Sequence, residues 1–253
     1  MQDRIEITFL GHATTLIDTP QGVVLTDPHL GRRMFWWRRH KALGPLPGSL
    51  PGLAAVLVSH GHLDHLDIES FKYIPSNVPV IVPPKLGALL HRFINNPVVE
   101  CAHWTPHPLR EGLQILPVPV RHPGGRLLPG WRYPNVSAYL ITAGDRRIYF
   151  AGDTAYGTHF REVGHLHAID VALLPLTTIL PARLHLGRSL TPLELLQAFL
   201  DLKAGHAIPI HWGSFGWASA WERKLARLRR FAEERQCVDR LHMIEPGAAW
   251  GIS

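Results

Sequence analysis

Ser59-His60-Gly61-His62-Leu63-Asp64-His65 directly follows the apolar run Ala54-Ala55-Val56-Leu57-Val58. An apolar run that breaks into a polar turn reads as a buried strand ending in a loop. That loop packs three imidazoles and one carboxylate into the six residues His60 to His65. A tight turn can aim His60 and His62 one way and Asp64 and His65 another. This suits two adjacent metal ions better than one. The plainer reading is a surface loop rich in histidine, and four ligand-type residues in six positions argue against it. The motif still needs its context.

The context comes from three later strand ends. Leu113 to Val120 is a strand that stops at Arg121-His122, and its prolines suggest an edge or a bulge. Ser137–Thr142 and Arg147–Ala151 form a hairpin, and the second strand stops at Gly152-Asp153-Thr154. His206 to Ile210 is a strand that stops at His211. Loops at the ends of rigid strands are where reactive groups tend to sit. Together these loops hold five histidines and two aspartates. That number serves two ions, each with an open position.

Composition sets the outer bounds. The chain has 253 residues, 46% hydrophobic and 18% charged, enough to bury a real core. No apolar segment is long enough to cross a bilayer. Met1 to Glu6 lacks the basic head and apolar stretch of a signal peptide, so a cytoplasmic protein is expected. Cys101 and Cys237 make no disulfide framework and read as small buried hydrophobes. A net charge of +6 favours anionic partners.

Strands dominate both halves, with helices between them. Residues 5–26 read as three strands, Lys85–Phe93 as a helix, and Leu241–Ile244 as a closing strand. Thr191-Pro192-Leu193-Glu194 is a helix start with a capping box and proline in the first turn. Sheets that must each bury two faces predict an α/β architecture, a layered helix–sheet–sheet–helix domain. Residues 29–52 look like an excursion from it. Arg32, Arg33, Arg38, Arg39 and Lys41 surround Phe35, Trp36 and Trp37 there. Such a piece reads equally as a membrane-surface patch, a subunit contact in a homo-oligomer, or an aromatic cluster closing the core.

Ser-His-Gly-His-Leu-Asp-His resembles the HxHxDH signature of the metallo-β-lactamase superfamily, and Gly152-Asp153-Thr154 and His211-Trp212-Gly213 match its later motifs. Gly11-His12-Ala13-Thr14, Thr26-Asp27-Pro28 and Ile208–Phe215 look like one branch of it. That branch contains N-acyl-phosphatidylethanolamine-hydrolysing phospholipase D and ascorbate-6-phosphate lactonase. The resemblance runs from about residue 7 to 216. It implies one domain over 1–253, a four-layer αββα sandwich. It implies that His60, His62 and His122 hold one divalent ion and Asp64, His65 and His211 a second, with Asp153 bridging. The nucleophile would be a metal-bound hydroxide, with Asp64 orienting it or taking a proton. All-nitrogen-and-oxygen donors suit zinc, with manganese or iron as alternatives.

The substrate is less legible. Basic charge and the resemblance favour a phosphodiester, including a phospholipid. A lactonase or esterase on a small anionic metabolite would use the same metals, and a metal-binding domain without activity needs no substrate. Nucleic acid is disfavoured, because the 57 residues at 154–210 leave little room for a clamping insert. Arg126, Trp131 and Tyr156 are candidate substrate contacts. His185 joins them, as the nearest histidine to Ser189, where that branch often carries one. His12 reads as support for the ligands rather than as a ligand.

Overall fold

The computed structural model describes residues 4–34, 36–40, 43, 50, 52–124, 135–176 and 189–253. Its first sheet is built from β1 (Ile5–Gly11), β2 (Thr14–Thr19), β3 (Gly22–Thr26), β6 (Leu53–Leu57), β7 (Val80–Val82), β8 (Val98–Glu100) and β15 (Ala249–Ile252). The spatial order is β15-β1-β2-β3-β6-β7-β8. The second sheet holds β9 (His107–Arg110), β10 (Leu113–Pro119), β11 (Ser137–Ala143), β12 (Arg146–Phe150), β13 (Val171–Pro175) and β14 (His206–Ile210), in the order β14-β13-β12-β11-β10-β9. Each sheet is antiparallel at one side and parallel at the other. A separate hairpin pairs β4 (Arg33–Met34) with β5 (Trp37–Arg38).

The sheets face each other across Ile5, Ile7, Phe9, Ile17 and Leu57 on one side and Ile115, Tyr139, Phe150, Leu173 and Ile208 on the other. Helices α2 (His159–Leu166), α3 (Pro192–Asp201) and α4 (Ala218–Glu234) cover the outer face of the second sheet through Phe160, Val163, Leu195, Phe199 and Leu228. The outer face of the first sheet is covered by Phe71, Leu86, Leu89 and Leu90, from a 3-10 helix at Ile68–Tyr73 and the short helix α1 (Gly87–Leu90). The architecture is therefore an α/β sandwich with helices outside both sheets. It explains the unbroken apolar runs of β6 and β13: both strands are buried along their whole length, inner and outer face alike.

Two expectations need correction. Leu241–Ile244 is not a strand; Leu241 makes one bridge to Ala207, and β15 at 249–252 closes the first sheet on β1. Lys85–Phe93 contains only one regular turn of helix, because Lys85 takes a positive φ of 74° and the chain turns again after Leu90. The proline-bearing β10 behaves as its sequence suggests. β9 pairs with it only at Leu113–Ile115, so Pro117 and Pro119 lie where one side is free of ladder bonds.

The aromatic-basic excursion divides between surface and body. Met34 is buried, Trp37 meets Trp217 edge-on at 5.5 Å, and His40 meets Trp221 at 5.0 Å. Arg39 donates to Gly31 O, His29 O and Ser214 Oγ and lies 4.8 Å over the Phe215 ring. Trp36, Arg33 and Arg38 stay exposed. Among the described residues, no helix is long and apolar enough to cross a membrane.

Candidate metal centre

Strand direction assembles the site. β1, β3 and β6 run the same way in the first sheet, and β10, β12 and β14 run the same way in the second. Their C-terminal ends deliver His12, Asp27, His60–His65, His122, Asp153 and His211 in that order. The two sheets are stitched together at this edge: the His211 amide donates to His12 O at 2.6 Å, and His12 bridges to Trp212. His12, Asp27 and His211 all take positive φ, of 58°, 32° and 66°. Non-glycine residues held there store strain, which collects at functional sites. Gly152, beside Asp153, is also required: its φ is +57° and a Cβ there would sit 2.5 Å from Ser59 Cβ.

Three groups of ligand atoms form among the described residues; one, Asp27 with His60 and His65, is fully buried, and the other two hold predicted ligands. His60, His62 and His122 make one. His60 Nε2 lies 2.7 Å from His62 Nδ1, which lies 3.3 Å from His122 Nε2. Asp64, His65 and His211, with His12, make the other. Asp64 Oδ2 stands 3.6 Å from His65 Nε2 and 3.5 Å from His211 Nε2. Asp153 lies between them. Its Oδ2 is 3.5 Å from His65 Nε2 and 3.9 Å from His122 Nε2, and its Oδ1 is 3.3 Å from His211 Nε2. All seven sequence-predicted ligand residues thus converge.

Asp27 is the organising residue that sequence reasoning did not single out. Fully buried, it accepts from the Ser59 amide and the Ser59 hydroxyl, each at 2.6 Å, and from His65 Nδ1 at 2.6 Å. The Ser59 hydroxyl, having donated to Asp27, accepts from His60 Nδ1 at 2.9 Å. One carboxylate therefore orients two imidazoles through their Nδ1 atoms, turning Nε2 of each into the cluster. The available signal was Thr26-Asp27-Pro28, another carboxylate at the end of an apolar strand. His12 Nε2 sits 3.0 Å from Asp64 Oδ2, within the group that could hold a metal.

Burial sets the charge states. It holds His12 down to about 3, helped by the nearby His211, and His62 down to about 4. Burial and the neighbouring His65, His62 and His122 rings keep His60 well below its ordinary value. These rings are neutral at pH 7, with lone pairs to offer. Burial pushes Asp64 and Asp153 upward, but the surrounding imidazoles, His65 first for Asp64 and His211 first for Asp153, hold both well below the usual carboxylate range. Burial pushes His65 down, yet Asp153, Asp64 and Asp27 carry it well above its ordinary value.

The residues fit a divalent cation. His65 Nε2 and Asp153 Oδ1 are buried without a hydrogen bond, although such atoms are rarely left unsatisfied. Both point into the cluster, and a cation would satisfy both. His62 and Asp64 are only half-buried, so the site opens to solvent on that side.

Of the candidate substrate contacts, Tyr156 donates its hydroxyl to Asp201 at 2.5 Å and stacks on Phe160. Arg126, Trp131 and His185 lie outside the described residues.

A family model described as the beta-lactamase superfamily domain matches residues 23–212. The chain is 30% identical to N-acyl-phosphatidylethanolamine-hydrolyzing phospholipase D 1 of Caenorhabditis elegans, over 82% of this chain and 64% of that one. It is 25% identical to a metal-dependent hydrolase of Rubrobacter xylanophilus, over 97% of this chain and 96% of that one. The structure is similar to a metallo hydrolase from Ignicoccus hospitalis, with a TM-score of 0.75 at 17% identity and 99% of both chains covered. The chain spans 64% of the length of the first curated relatives it matches. With the fold and the histidine–aspartate clusters, these findings place the chain in the metallo-β-lactamase superfamily, with residues that could hold metal.

Proposed function

We propose that the centre holds two divalent ions, zinc in the first instance, and that the enzyme hydrolyses a phosphodiester, with phospholipids included in that class. The observation that carries the reading is Asp153. It reaches both convergent donor groups: Oδ2 lies 3.9 Å from His122 Nε2 and 3.5 Å from His65 Nε2, and Oδ1 lies 3.3 Å from His211 Nε2. His60, His62 and His122 would hold one ion, Asp64, His65 and His211 the other, and Asp153 both. Bound there, the ions would supply Lewis acidity, activating water and polarising a phosphoryl oxygen.

The chain's own residues do the rest. His12, neutral, donates Nε2–H to Asp64 Oδ2 and keeps that carboxylate ionised and aimed. Asp64 is half-buried at the mouth, where it can orient the attacking water or accept its proton. Asp27 and Ser59 hold His65 and His60 through Nδ1, with Nε2 of each turned into the cluster. A basic protein concentrates an anionic substrate near this mouth. The likeness to the nematode phospholipase supports a phosphodiester over other anions.

Metal analysis and a substrate panel on the same sample test this. About two ions per chain and turnover of phosphodiesters are expected, with both falling in Asp153→Ala. Hydrolysis of lactones or carboxylic esters alone would replace the phosphodiester reading and keep the metal one. Absence of bound metal in protein purified without chelator would defeat both.

A further inference from the structure

The β4–β5 hairpin carries a cross-strand pair that costs stability. Arg33 stands in register opposite Arg38, and both side chains are exposed. Like charges directly opposite each other in an antiparallel pair repel. Among the described residues neither arginine forms an ion pair. Asp67 and Glu69 line a small cavity with Arg33 yet stay outside ion-pair distance of it. The other face of the hairpin is anchored, with Met34 buried and Trp37 against Trp217. Between the strands Trp36 is 77% exposed, and Trp217, which packs on Trp37, is 62% exposed. Arg32 is exposed as well.

Exposed indoles ringed by guanidiniums match one environment closely. An indole is amphipathic and settles where hydrocarbon meets headgroups. An arginine pairs bidentately with phosphate and is drawn to an anionic leaflet. A bilayer also needs no complementary pocket, which a hairpin tip does not offer. We propose that the β4–β5 hairpin, with Trp217, docks the protein on bilayers that contain anionic phospholipid. The lipid phosphates would relieve the Arg33–Arg38 repulsion. The docked loop would be the one that carries His211, since Arg39 and His40 bind Ser214 directly. The proposal stands apart from the substrate reading, because docking needs no turnover.

Vesicle co-sedimentation tests it. The metal-loaded protein should bind phosphatidylcholine vesicles containing phosphatidylglycerol, bind phosphatidylcholine alone weakly, and release at high salt. The Arg33→Gln/Arg38→Gln double variant should lose about fivefold per arginine, roughly 25-fold together. Trp36→Ser should weaken binding further, while Trp36→Phe restores part of it. Metal content should not change in these variants, and melting temperature should not fall; in the arginine double variant it should rise slightly as the repulsion is removed. If the arginine double variant melts early, Trp36→Ser at the turn decides alone. Equal binding to both vesicle types, or unchanged binding in the variants, would overturn the proposal. So would a wild-type dimer that Trp36→Ser dissociates, or duplex DNA binding with the same arginine dependence and no vesicle binding.

Discussion

Asp27 shows how much one buried carboxylate can decide. It lies within ligand distance of His60 and His65 and orients both of them. Asp27→Asn should keep the fold and lower metal affinity about 10- to 100-fold, measured by competition with a chromogenic chelator. Unchanged affinity would mean the imidazoles hold their orientation without it. Another buried residue gives the protein a pH limit. Burial, then the nearby Arg121, holds His159 down to about 4 from an ordinary 6.5. Between those values the unfolded chain binds more protons than the folded one, so stability falls as pH drops from 6.5 to 4. The loss should be on the order of 2–3 kcal/mol. His159→Gln, which can still bond Thr154, should flatten the melting-temperature profile across that window. At this scale the ligands were legible, because they are dense and follow apolar runs. Asp27 was not, because a lone carboxylate at a strand end looks like any turn residue until its partners, 32 and 38 positions away, are in place.

Elements were legible where local chemistry decides them. The Thr191 capping box is present as read: Glu194 N donates to the Thr191 hydroxyl and Thr191 N to the Glu194 carboxylate. Thr191→Ala should cost about 1 kcal/mol in chemical denaturation. Elements were misread where packing decides. The apolar spacing at Lys85–Phe93 suits a helix, but Glu100 caps the segment by accepting from the Lys85 and Gly87 amides, and only one turn forms. Likewise Leu241–Ile244 has strand composition and lies against the edge strand β14, yet it makes only a single bridge there, to Ala207. Gly164 illustrates a contact no local rule announces. A Cβ there would lie 2.5 Å from Asp201 O and 2.7 Å from Leu202 Cα, so α2 rests directly on the end of α3. Gly164→Ala should destabilise by about 1–3 kcal/mol despite alanine's better helix propensity.

For the whole molecule, the metal centre is also a clamp between sheets. Its donors come from both, so a cation that binds only the folded state should stabilise the sandwich. Stripping metal with chelator should lower the melting temperature by roughly 10 °C, taking about 4 kcal/mol at a thousandfold excess over Kd and a few degrees per kcal/mol. An unchanged melting temperature would argue that the edge is held by the His12–His211 backbone bridge alone. The layered architecture was readable because both sheets must hide two faces. The strand order was not, since nothing near β15 says that its partner is β1.

That last pairing governs the order in which the protein can be made. Residues 249–252 lie beside residues 5–8, so the outer edge of β1 is covered only after every strand from β2 to β14 has been made. During translation β1 offers unpaired amides and carbonyls to any neighbouring nascent chain, the usual route to edge-to-edge association. Ligands from the first sheet leave the ribosome early, but His211 emerges late. Completion of the candidate metal site and closure of the vulnerable edge therefore both wait until after β14, separated by only about forty residues of synthesis, a few seconds apart.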